Sequence, residues 1–211
     1  MTNFIPIFPL EIVVFPGEQL NLHIFEPRYK QLISECVANK KPFGMPVVIN
    51  KKLKEFGALI EVKEIFKTYE NGEMDIKTEG VQIFRILELI KDIPDKLYSG
   101  AIVTYPQNSF DGNPSIMQML LKKMRMLHEH LGVTKSFNKA DEALHAYDIA
   151  HHCGLTLQQE YELLQLTDEK QRQQYLKRHF DAGSKTSSEK EMIEKIQMNG
   201  HFKELNSKFE L

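Results

Sequence analysis

The chain is 211 residues long, 42% hydrophobic and 27% charged, a balance that excludes disorder, collagen and coiled coil and suffices for one core or a core with a smaller satellite domain. Its 27 Lys and Arg against 29 Asp and Glu leave a net charge of −2, without the positive excess by which a dedicated nucleic-acid binder neutralises phosphates. Two cysteines, Cys36 and Cys153, are too few for a disulfide framework or a four-cysteine zinc site and point to a reducing cytoplasm.

Met1 to Gly17 is apolar, but it lacks a basic leader, carries Glu11 and is broken by Pro6, Pro9 and Pro16, which suits neither a signal peptide nor a membrane helix. Up to Tyr105 the pattern reads as strands. Short β-branched and aromatic runs, punctuated by Pro, Gly and Asn, predict seven of them: Phe4 to Phe8, Leu20 to Phe25, Phe43 to Ile49, Ala58 to Tyr69, Met74 to Thr78, Val81 to Ile90 and Leu97 to Tyr105. One helix interrupts the series at Pro27, with Tyr29, Leu32, Ile33, Cys36 and Val37 on its apolar face. The sequence Glu70-Asn71-Gly72-Glu73 predicts a type I′ hairpin, and Gly80 predicts a bulge or bend that lets a small sheet curl.

Pro106 to Pro114 is dense in turn residues and precedes a change of period from two to 3.6, so it is expected to be an exposed linker between residues 1–105 and 115–211. About five helices should follow as a small bundle. Ser115 to Leu131 carries Met117, Leu120, Leu121, Met124, Leu127 and Leu131 on one stripe, with Met119 and Met126 projecting from nearly the opposite side. Thr156 with Gln159 and Ser188 with Glu191 have capping-box spacing, and Thr167 is expected to cap a helix that ends near Gly183. Asp181 to Ser188 reads as a polar joint before a last helix ending at Asn199-Gly200.

Familiar catalytic signatures are missing from the sequence. None of the 11 glycines is followed by lysine, so there is no phosphate-binding loop, and neither Gly-x-Gly-x-x-Gly nor Gly-x-Ser-x-Gly occurs. His128 and His130, two apart, point about 200° from each other on a helix and do not suit one metal. His145, Asp148 and His152 would share a helical face, yet a solvated or packed face is favoured over a metal or hydrolytic site. Lys40-Lys41, Lys51-Lys52 and Lys54 flank the strand from Phe43 and, with Phe43 and Phe56, suggest a basic edge for RNA. Protection of a sheet edge against aggregation is the simpler reading.

Four stretches carry a resemblance to the N-terminal substrate-binding domain of Lon proteases, in stand-alone form. These are Ile5 to Leu10 with Val13 to Gly17; Leu22 to Tyr29; Gly57 to Val62 with Glu79 to Ile86; and Ala146 to Ala150 with Leu155 to Leu157, Glu160, Leu163-Leu164 and Asp168. The likeness runs from about Phe4 to Phe180. Glu11-Ile12 departs from the basic and polar pair common in the proteases. The resemblance implies an α+β protein, a PUA-like β-rich pseudo-barrel with one inserted helix followed by a C-terminal helical bundle. It also implies recognition of unfolded or degron-bearing polypeptides. With the chain ending at Leu211, the ATPase and Ser-Lys peptidase domains are expected to be lacking, so proteolysis does not carry over. Arg28, Glu79 and Arg85 are expected to be structural partners at strand ends.

The expected function is therefore a non-enzymatic polypeptide-binding module, an adaptor or regulator of ATP-dependent proteolysis with a Lon-type protease as partner. RNA or small-ligand binding through the barrel is the alternative. Met119, Met126, Phe43 and Phe56 are the candidate polypeptide contacts; neither cofactor nor metal is expected, nor a membrane, and the near-neutral charge disfavours nucleic acid.

Overall fold

A computed structural model describes residues 2–182 and 189–197. The described residues divide into two compact units, 2–106 and 107–197. The fold is mixed, with an antiparallel sheet in the first unit and helices in the second.

In the first unit the strands are β1 (Thr2–Pro6), β2 (Gln19–Ile24), β3 (Phe43–Ile49), β4 (Lys52–Thr68), β5 (Met74–Ile90) and β6 (Gly100–Thr104), with helix α1 (Pro27–Asn39) inserted after β2. They form one sheet in the order β1-β6-β5-β4-β3, and β2 pairs with β5 off that path. The two ends of the path meet, because the chain beyond β1 runs parallel to β3 through bridges at Ile7–Gly44 and Leu10–Val47. Phe8 N donates to Gly44 O at 2.8 Å and Val48 N to Leu10 O at 2.8 Å. Closure puts both faces of β3 indoors, which is why Phe43 to Ile49 reads as an unbroken apolar run. Phe84, Ile5, Ile7, Leu59, Ala101 and Val103 pack into one cluster inside.

Among the described residues there are six strands where the sequence predicts seven. Met74 to Thr78 and Val81 to Ile90 are one strand, β5, kept continuous through a bulge at Val81, where Leu59 faces Gln82 and Ile60 faces Gly80. Gly80 earns its place by close approach, since a Cβ there would sit 2.5 Å from Phe15 O. The 15–18 segment in turn hydrogen-bonds both polar groups of Gly80. The hairpin turns also differ from expectation. In the Glu70 to Glu73 turn Gly72 alone has positive φ, at 76°, with its N–H donating to Tyr69 O, so the turn is not type I′. Paired positive φ values occur instead at Asn50 and Lys51, 52° and 58°, between the paired residues Ile49 and Lys52. Val37, expected on the core face of α1, is 40% exposed near the end of that helix.

The second unit holds α2 (Pro114–Leu131), α3 (Ala146–Ile149), α4 (Leu157–Leu164), α5 (Glu169–Ala182) and α6 (Glu189–Gln197). Asn113 caps α2, its side chain accepting from Ser115 N at 2.9 Å and Ile116 N at 3.2 Å, and Gly132 ends the helix in the left-handed region. Thr156 and Gln159 form the expected capping box of α4. For α5 the capping side chain is Asp168, one residue beyond Thr167, whose Oδ1 accepts from Gln171 N at 3.1 Å. Ser188, the side chain of Glu191, Gly183 and the Asn199-Gly200 end lie outside the described residues. No helix among the described residues is long and apolar enough to cross a membrane.

Candidate functional site

Two concavities stand out, one in each unit. In the second unit a cleft of about 500 Å³ opens beside α2. Its apolar lining is Met117, Leu121, Leu144 and the 41% exposed ring of Phe110. Its rim is polar, with Gln118, Lys122, Glu142 and His145, and with Arg125 donating to both oxygens of Asp141 at 2.7 and 2.8 Å. An apolar floor under a mixed-charge rim is the usual make-up of a site that buries a side chain while fixing its orientation.

The wall formed by residues 107–113 is anchored from beneath. Arg172, 0% exposed, donates from Nε to Glu169 at 2.8 Å, from Nη1 to Asn108 Oδ1 at 2.7 Å and Leu166 O at 2.8 Å, and from Nη2 to Ser109 O at 2.5 Å. Its guanidinium lies 4.1 Å from the Tyr147 ring centroid and 5.3 Å from that of Phe110. Gln173 Oε1 accepts from Asn113 N at 2.8 Å. Expected to be an exposed linker, the stretch does expose Gln107, Phe110, Asp111 and Asn113, but it is also tied to α5 by side chains that the sequence pattern did not single out.

The first unit has a groove of about 340 Å³ between the C-terminal end of α1 and β4, lined by Cys36, Val37 and Lys40 to Pro42 on one side and Glu61 to Ile65 on the other. Burial pushes the Cys36 thiol up to about 11, with the Glu35 charge adding to it. Glu35 itself is held below the usual carboxylate range by hydrogen bonds from Lys96 and Tyr98. Arg28, Glu79 and Arg85 pair with Glu26 at 2.9 Å, Lys63 at 3.1 Å and Glu55 at 2.9 Å, but not at strand ends as expected, since Arg28 is on α1 and the other two lie inside β5.

The candidate contacts fall in unlike places. Met126 is 59% exposed and Met119 half-buried, and neither lines the cleft. Phe56 is half-buried with the Arg85 guanidinium 5.7 Å from its ring. Phe43 is 0% exposed, packed in the core against Phe8 with ring centroids 6.1 Å apart, so it has no surface to offer a partner. The basic edge fails as a unit. Lys40-Lys41 and Lys51-Lys52 stand at opposite ends of β3, about 20 Å apart at some 3.3 Å per residue.

The histidine face is also dissolved. The helix over 145–152 is not continuous: α3 is one turn and Ala150–His152 is a 3-10 turn, so spacings of three and four no longer stack. Asp148 accepts from His145 N at 2.8 Å and pairs with Lys139 at 2.6 Å. His152 is buried, with its carbonyl 2.9 Å from His128 Nε2. Among the described residues no group of three or more His, Cys, Asp or Glu is placed to hold a metal.

Architecturally this is an α+β chain with a largely antiparallel sheet and accessible concavities in both units. The family model for the ATP-dependent protease La (LON) substrate-binding domain matches residues 5–180, and the chain belongs to that family. Among solved structures it resembles a Lon N-terminal domain protein from Xanthomonas campestris, 22% identical over 83% of this chain and 98% of that one, with a TM-score of 0.64. It also resembles the N-terminal domain of Mycobacterium avium complex Lon protease, 14% identical over 86% of this chain and 100% of that one, with a TM-score of 0.60. At these identities the likeness is one of fold.

Proposed function

We propose that this protein is a polypeptide-binding module without a catalytic step of its own, which recognises unfolded or degron-bearing chains in the cytoplasm and serves as an adaptor or regulator of ATP-dependent proteolysis, with a Lon-type protease as partner. Within it, the closed strand path is a PUA-like pseudo-barrel, the second unit a small helical bundle, and the boundary falls at residues 106–114. The observation that carries the reading is the second-unit cleft, whose apolar floor and mixed-charge rim suit a large side chain of a client while leaving its backbone at the polar margin. Membership of a substrate-binding family supports the same reading. Exposed Met126 and half-buried Met119, on the other side of α2, are a second proposed contact, since methionine adapts to varied apolar surfaces.

The test is binding of an unfolded-protein panel and a mixed RNA pool at two salt concentrations. Client binding is expected to be nearly insensitive to salt, because apolar contact does not release counterions, and RNA binding to be weak and steeply salt-dependent. Phe110→Ser is expected to lower client affinity several-fold. Salt-sensitive RNA binding with no binding of unfolded protein would reject the proposal.

A further inference from the structure

In the first unit β4 runs on beyond its neighbour. β3 covers β4 only from Lys52 to Ile60, where Phe43 is the last paired residue, whereas β5 lines the other edge of β4 all the way to Thr68. The ladder cannot continue backwards from Phe43, because Pro42 has no N–H to donate and Lys40, at φ 51°, turns the chain into the end of α1. Among the described residues, β4 therefore has no strand partner on that side from Glu61 to Thr68. An unpaired edge is a template for another strand.

The groove lies along the first part of this edge, with the end of α1 as its opposite wall. A strand edge facing a helix across an open groove is the arrangement by which peptides are added to a sheet, with main-chain hydrogen bonds supplying affinity and alternate side chains entering the groove. Val37 and Ile65 give it apolar surface. The charges are unequal. Its two carboxylates are engaged, Glu61 with Lys63 at 2.9 Å and Glu64 with Lys77 at 3.0 Å. Lys40 and Lys41, both exposed in the opposite wall, have no carboxylate partner among the described residues.

We propose that the Glu61–Thr68 edge of β4 takes up an extended polypeptide segment by strand addition, and that the preferred segment alternates apolar with acidic residues, the acids meeting Lys40 and Lys41. This rests on the polypeptide-binding reading and names the class of client sequence that this second surface selects.

The test uses the full chain and three fluorescent peptides of equal length: one alternating Val and Glu, one alternating Val and Lys, and the Val-Glu peptide N-methylated at every second residue along one edge. The Val-Glu peptide is expected to bind at least tenfold tighter than the Val-Lys peptide, and Lys40→Glu with Lys41→Glu, checked for an unchanged thermal midpoint, to reverse that order. N-methylation is expected to weaken binding tenfold or more, because each methyl removes a donor to the β4 edge. Equal affinity of the methylated and unmethylated peptides, or a preference unmoved by charge reversal, would overturn the inference. If unfolded proteins still bind through a Phe110-dependent surface, only the strand-addition inference falls; if no polypeptide binds, the parent reading falls with it.

Discussion

The two units solve the same problem, burying a backbone, in opposite ways. Among the described residues the first unit buries one polar side chain, Thr78, and keeps its ion pairs at or near the surface. The second buries His128, His151, His152, Glu160, Glu169, Arg172 and Gln173. A sheet satisfies its own N–H and C=O groups, so its interior can be apolar; short helices and turns leave orphaned carbonyls and amides that side chains must reach. Arg172 serves Leu166 O and Ser109 O, Glu169 Oε1 accepts from Ala146 N at 2.7 Å, and Lys195 Nζ donates to Leu155 O at 2.7 Å while pairing with Glu160. Charges in the second unit thus replace a ladder, and their removal should cost more than removal of charges in the first.

The largest expected effect follows directly. Arg172→Ala leaves the buried Glu169 without its cationic partner and should cost about 3–5 kcal/mol by chemical denaturation, whereas Arg85→Gln, which breaks an exposed pair with Glu55, should cost about 0.5 kcal/mol or less. Limited proteolysis sharpens the contrast: the wild-type chain should resist cutting within residues 107–113, and the Arg172 variant should be cut there first. Similar losses for both arginines would erase the distinction between the units.

Next in size is a backbone contact of the first unit. Gly80→Ala drives a methyl to 2.5 Å from Phe15 O and should destabilise by about 1–3 kcal/mol, as overpacking does in other cores. A neutral result would show that the 15–18 segment moves aside freely and is not a fixed part of the closed path.

The smallest effect is one of pH. Burial lowers the pKa of His179, whose Nε2 lies 3.0 Å from Cys153 O. Because the folded value lies below the unfolded one of about 6.5, the unfolded chain takes the proton first. The associated stability is complete above that pH and is lost as pH falls toward and through the folded pKa. Thermal midpoints should accordingly fall with acid more steeply for wild type than for His179→Gln, and parallel curves would remove His179 as a source of the acid sensitivity.

Much of the architecture is legible in particular residues. Phe43 to Ile49 is the strand it reads as, α2 begins one residue before Ser115 and ends at Leu131, and the Thr156-Gln159 box caps α4. These succeed because a buried strand, an amphipathic helix and a cap are decided within a few neighbouring residues. The sequence misleads over the exact form of a turn and where a distant neighbour decides burial. Asn71-Gly72 looks like the tightest hairpin, yet the paired left-handed residues are Asn50 and Lys51; Phe43 looks like a surface aromatic beside lysines until closure of the sheet covers it.

For the candidate site, the sequence shows α2 and the apolar stripe with Met117 and Leu121, but it reads that stripe as core and puts the contacts at Met119 and Met126, which do not line the cleft. Phe110 and Leu144 were not readable as lining it, since no short-range pattern brings them beside that stripe. A turn-rich segment is ordinarily mobile; here Arg172 and Gln173, 64 and 60 residues along the chain from Asn108 and Asn113, fix it. By itself the sequence determined most of the strands and helices, most of their apolar faces and, through motifs spread from Ile5 to Asp168, the family. Only the tertiary structure decided which side chains became buried partners and which strand edge stayed open, because pairing and desolvation depend on residues that are remote in sequence and close in space.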